Sequence, residues 1–134
     1  GSAEDEAMVA ATREALMAGI NAARAGNRIG DISAAIEKVG VDSGYGVVYE
    51  LGGHGVGKKV HEAPYVPNVG DAGPGELLFK GMVIAIEPMF THGTPKVKLM
   101  PDGYTFVTRD GSRAAHFEHT ILITDSAPEI LTAL

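Results

Sequence analysis

The sequence predicts an α+β domain: an antiparallel sheet with two helices on one face. Three observations carry that prediction. Apolar residues recur at helical spacing only before Gly44. After it come short β-prone runs separated by glycine and proline. The helical segments precede the strands rather than alternating with them, which argues against a parallel sheet.

The first helix is expected from about Ala3 to Ala25. Ser2 is placed to cap it, and Glu4, Asp5 and Glu6 put negative charge in its first turn. Val9, Leu16, Ile20 and Ala23 form the expected apolar stripe, and Gly26 is the expected stop. A second helix begins near Ile29, presents Ile29, Ile32, Ile36 and Val39 on one face, and ends at Gly44. Val47 to Tyr49 and Met82 to Ile86 read as strands. Val97 to Met100 and Tyr104 to Thr108 flank Pro101-Asp102-Gly103, a hairpin signal, and Ala115 to Thr124 reads as one long strand.

At 134 residues the chain fits one domain, large enough to bury a core. It contains no cysteine, which excludes disulfides and thiolate zinc sites, so any metal must be held by nitrogen and oxygen. No apolar run is long enough to span a bilayer, and acids rather than a secretory leader occupy the start. Net charge is −6, and only Lys58-Lys59 and Lys96/Lys98 pair basic residues, which gives no nucleic-acid footprint.

The candidate chemistry lies in three segments. His54 stands between Gly53 and Gly55, where the backbone is free to turn and present the imidazole. His61 follows seven residues later. On a regular strand that odd spacing puts the two rings on opposite faces, and a bulge among the glycines would bring them together. Glu87 closes the apolar run Met82 to Ile86, and Glu118 interrupts another β-prone run; a carboxylate in either place is costly to bury alone. Each alone could be an edge-strand charge. Two such acids beside a glycine-flanked histidine form the donor set of a divalent cation. Glu118 and Thr120 are expected on one strand face with His116, and His119 on the other. His92 reads as a solvated loop residue and Tyr104 as a packing residue.

The phrases Gly-His-Gly-Val-Gly from Gly53, Val-His-Glu-Ala-Pro from Val60, Gly-Met-Val-Ile-Ala-Ile-Glu-Pro-Met from Gly81, Asp-Gly-Tyr-Thr from Asp102 and Phe-Glu-His-Thr from Phe117 resemble, in that order, type I methionine aminopeptidase. This family belongs to the pita-bread metallopeptidases, with prolidase and aminopeptidase P. The resemblance implies that His54, Glu87 and Glu118 are metal ligands, with Glu118 bridging two ions of cobalt, manganese, iron or zinc in the full enzyme. It implies that His61 contacts the scissile peptide and stabilises the tetrahedral intermediate, and that Tyr104, where the family usually has tryptophan, borders the substrate side-chain pocket. Gly52 stands where many bacterial members have cysteine. The family's first half, with two aspartate ligands and a further histidine, has no counterpart here. The chain therefore reads as the C-terminal half of the catalytic domain, residues 1–134 forming one domain.

The implied function is cytoplasmic removal of N-terminal methionine from nascent polypeptides. For the isolated chain, the same reading implies one weakly held ion, little or no activity, and self-association through the face left by the missing half. Two other readings remain: a catalytically dead peptide- or protein-binding module of the same fold, and a relative acting next to proline.

Overall fold

The structure is a computed structural model, and it describes residues 2–49, 51–56, 62–99, 101 and 106–132. Helix α1 runs over Ala3–Ala22. The Asp5 N–H donates to Ser2 Oγ at 3.1 Å, the cap expected from the sequence. The helix stops three residues short of the expected Ala25. Ala23 N–H folds back to Ile20 O, and Asn27 Nδ2 donates to Ala22 O, so local turns take up the last carbonyls. Its buried face is Met8, Ala11, Thr12, Ala15, Leu16, Gly19 and Ile20. Val9, expected in that stripe, is exposed, and Met8 takes its place.

Helix α2 spans Ile29–Ser43 and ends at Gly44, whose φ of 80° closes it in the left-handed region. Arg28 N–H donates to Asp31 Oδ2 at 2.8 Å to start it. Ile29, Ile32 and Ile36 face the core, with Val39 packed at its margin. The two helices pack on each other, and both contact strands.

Among the described residues ten strands follow: β1 (Gly46–Val47), β2 (Gly52–Gly55), β3 (Glu62–Pro67), β4 (Val83–Ile86), β5 (Met89–Thr91), β6 (Val97–Leu99), β7 (Phe106–Thr108), β8 (Ala114–His116), β9 (His119–Leu122) and β10 (Glu129–Ile130). They make three antiparallel sheets ordered β10-β9-β4-β2-β3, β1-β5-β8 and β6-β7. The expected hairpin arms are β6 and β7.

One expectation is corrected in a way that matters for the site. The run Ala115 to Thr124 is two strands, β8 and β9, in different sheets. Its partner is divided in the same way into β4 and β5. Ile86 pairs with His119 on one side of the break and Met89 with His116 on the other. The offset is identical, so the register runs through unbroken, and the unpaired stretch places Glu87 opposite Glu118 and Pro88 opposite Phe117. Proline has no N–H to donate to the ladder; what remains there is Phe117 N–H to Pro88 O at 3.3 Å. The lapse in the ladder does not disturb the expected alternation: His116, Glu118 and Thr120 stay on the more open side, while Ala115 and His119 are buried on the other. From α1, the Arg13 guanidinium lies 5.1 Å over the Phe117 ring.

Candidate metal centre

His54 is carried by β2, which lies between β3 and β4 and pairs it with Tyr65 and Ala85. The close approach of β2 to β4 requires glycine at position 53: a Cβ there would collide with the Ala85 carbonyl. The register against β3 shifts between His54 and Gly55, a bulge in the glycine segment where one was expected.

The imidazole is held at both ends. Nδ1 lies 3.1 Å from Gly55 O. A carbonyl oxygen only accepts, so Nδ1 carries a proton and Nε2 is the ring nitrogen turned toward the carboxylates. Nε2 is 3.2 Å from Glu87 Oε1 and 4.0 Å from Glu118 Oε2. One donor atom from each of the three residues lies within 4.8 Å of the others. His54 and Glu87 are mostly buried, with side chains 12% and 19% exposed, while Glu118 is 44% exposed and opens the cluster to solvent.

Like charges directly opposite each other across a strand pair are unfavourable. The consequence falls on Glu87, whose carboxyl is pushed up from 4.5 to about 7. Burial is the main cause; the hydrogen bond to Glu118 and repulsion from its charge add to it, and His54 pulls the other way. Near neutral pH Glu87 is therefore partly protonated, and a divalent cation could take that proton's place. The donor set, one imidazole nitrogen and two carboxylates, suits zinc, cobalt, manganese or iron. These residues fit the group the resemblance implies.

The cluster opens into a pocket of about 400 Å³ lined by Leu51, Gly52, Gly53, His54, Tyr65, Glu87, Met89 and His116. His116 reaches the pocket wall but does not join the ligand cluster. Sequence reading missed Tyr65; its only trace was its place on a β-prone run after His61, and pairing with His54 across β2 and β3 is what aims it here. His61 and Tyr104 lie outside the described residues. His92 is exposed in its loop, as expected, and its ring also faces Asp5 Oδ1 at 3.1 Å and meets Tyr45 edge-on at 5.7 Å.

The sequence profile of metallopeptidase family M24 matches residues 1–125. The chain belongs to metallopeptidase family M24. It is 48% identical to methionine aminopeptidase 1 of Mycobacterium tuberculosis over 134 residues, which cover 96% of this chain and 50% of that one. The crystal structure of methionine aminopeptidase from Thermotoga maritima superposes with a TM-score of 0.95 at 46% identity, covering 99% of this chain and 53% of the other. That from Rickettsia prowazekii gives 0.95 at 38%, covering 98% and 54%. The resemblance to methionine aminopeptidases and the pita-bread, α+β architecture are thereby borne out. This M24 chain spans about half the length of the relatives it matches. Among its described residues no helix is long and apolar enough to cross a membrane.

Proposed function

We propose that this M24 chain is the C-terminal half of a methionine aminopeptidase catalytic domain, and that His54, Glu87 and Glu118 hold a divalent cation used to cleave the bond after an N-terminal methionine. The observation that carries the reading is the convergence of three donor atoms within 4.8 Å from three segments distant in sequence. When bound, the cation supplies Lewis-acid polarisation of the peptide carbonyl and a lowered pKa for water.

The chain's own residues prepare the site. Gly55 O fixes the His54 tautomer, so its lone pair points into the cluster. Glu87 gives up its proton to admit the cation. Glu118, the more exposed carboxylate, is the one free to reach a second ion. His61 is assigned contact with the scissile peptide and Tyr104 the border of the methionine pocket, both by resemblance. Retention of all three ligand side chains in one cluster favours an enzyme over a binding module that has lost catalysis.

Three ligands leave open positions around one ion, as in catalytic sites. The isolated chain should therefore bind a single cation weakly and turn over slowly or not at all. Titration with Co²⁺, followed by its visible absorption, and release of methionine from Met-Ala peptides test this. Saturable one-to-one binding with turnover far below that of a full-length relative is expected. No saturable binding would sink the metal reading, and full turnover would sink the half-domain reading.

Tyr65, Leu77 and Phe79 are large apolar side chains left exposed. Such surface favours association, and a second copy of the chain is the proposed occupant. Sedimentation should show concentration-dependent dimers; a monomer at the highest concentrations reached would exclude this.

A further inference from the structure

Asn68 follows β3 directly and is completely buried. Its Nδ2 donates to Glu87 O at 2.9 Å, and lies 3.3 Å from Leu51 O and 3.4 Å from Val48 O. These carbonyls belong to three places that matter. Glu87 is the residue leaving β4, Leu51 enters β2 three residues before His54, and Val48 leaves β1. Two hydrogens on one nitrogen are thus spread over three acceptors, with the shortest bond to the cluster residue.

The other end of the same side chain is buried and has no hydrogen-bond partner among the described residues: Asn68 Oδ1 is unsatisfied. Leaving a buried acceptor unpaired is unfavourable, whereas an apolar side chain of similar shape would avoid that cost. The orientation is nevertheless fixed, because a flipped carboxamide would turn Oδ1 toward three carbonyl oxygens. The stabilising contribution of the residue lies in its N–H groups, and those groups span the gap between the strand that carries His54 and the joint that carries Glu87.

We propose that Asn68 is a positioning residue of the metal centre: its carboxamide fixes the main chain of Glu87 against the entry to β2 and so sets the spacing of the His54 and Glu87 ligand atoms. This rests on the metal reading given above. Changes in groups that orient metal ligands weaken affinity by about 10–100-fold, and a loss in that range is expected here.

The test compares the unsubstituted chain with Asn68→Leu, which removes both donors and the unpaired acceptor, and Asn68→Asp, which keeps the shape and removes the carboxamide donors. Co²⁺ affinity is measured on folded protein, checked by circular dichroism, together with the visible spectrum of the bound ion, which reports coordination geometry. Weaker binding with an altered spectrum in every variant that folds supports the proposal. Unchanged affinity and spectrum in a folded variant overturn it, even if that variant melts earlier, because Asn68 would then serve the fold alone. Failure of the unsubstituted chain to bind Co²⁺ overturns the metal reading and this inference together. If neither variant folds, the unsubstituted chain labelled with ¹⁵N decides. The Asn68 side-chain amide signals should shift and exchange more slowly with solvent on adding Zn²⁺; signals that stay unmoved overturn the proposal.

Discussion

Among the described residues, two imidazole–carboxylate pairs of nearly the same length do opposite things. At the joint between the sheets, His54 Nε2 faces Glu87 Oε1 at 3.2 Å. Where α1 meets the end of β5, His92 Nε2 faces Asp5 Oδ1 at 3.1 Å. The third member separates them. Glu118 completes the first cluster, and the Arg113 guanidinium, paired with Asp5 Oδ2, completes the second. The carboxyl of Glu87 is accordingly driven up to about 7, chiefly by burial and then by the second acid. Asp5 feels burial in the same direction, but hydrogen bonds from His92 and Arg113 and the arginine charge outweigh it and lower its pKa. A pair closed by a cation is a structural clasp pinning α1 to the sheet. A pair closed by another acid gathers negative charge instead, and that is what suits it to the cation proposed above.

The sharpest way to break this contrast is to give the metal centre the clasp's third member. Glu118→Arg should lower the Glu87 pKa and reduce Co²⁺ affinity by about 100-fold or more, beyond the usual loss from outer groups. Retained binding in calorimetric titration would show that Glu118 is dispensable. Next in size is Gly53→Ala. Its Cβ meets the Ala85 carbonyl, so β2 must withdraw from β4. A loss of about 1–3 kcal/mol, typical of overpacking, is expected in denaturant unfolding, with weaker Co²⁺ binding.

The two pairs should also answer pH oppositely. The folded pKa of Glu87 lies above its ordinary value, so its contribution to stability is present below about 4.5 and lost as pH rises through about 7. With EDTA present, thermal midpoints attributable to this site should fall across that window, and added Co²⁺ should reverse the fall, since the cation takes the proton's place. Asp5 is lowered, so its contribution is present above 3.8 and lost as pH falls below it. A Glu87→Gln chain should lose the neutral-range slope and keep the acid one. The smallest effect belongs to Asp5→Asn: a slight drop in melting midpoint and no change in Co²⁺ affinity. A change in affinity would mean that clasp and metal centre are coupled.

The helices were legible because their signals are local: Ser2, the first-turn acids, the isoleucine spacing of α2 and Gly44 act within a few residues of where they stand. His54, Glu87 and Glu118 were legible because each is chemically out of place in its segment. The sheet joint was not. Ala115 to Thr124 keeps its β character through Phe117 and Glu118, and only pairing with the proline-containing partner reveals where the ladder lapses. Asn68 and Tyr65 were missed for the related reason that their roles arise from neighbours across the sheet. Val9 was misplaced because it and Met8 are adjacent on a helix turn, and packing chose between them. The His92 clasp joins residues 87 positions apart and leaves no trace in local pattern.

The unbroken register through the joint carries a consequence for how such chains can diverge. Side chains along β4, β5, β8 and β9 can be exchanged for others of similar shape. The number of residues in each arm cannot drift, because inserting or deleting one would slide the strands past each other and carry one acid away from its opposite. Among functional descendants, length in these arms should be frozen while composition wanders.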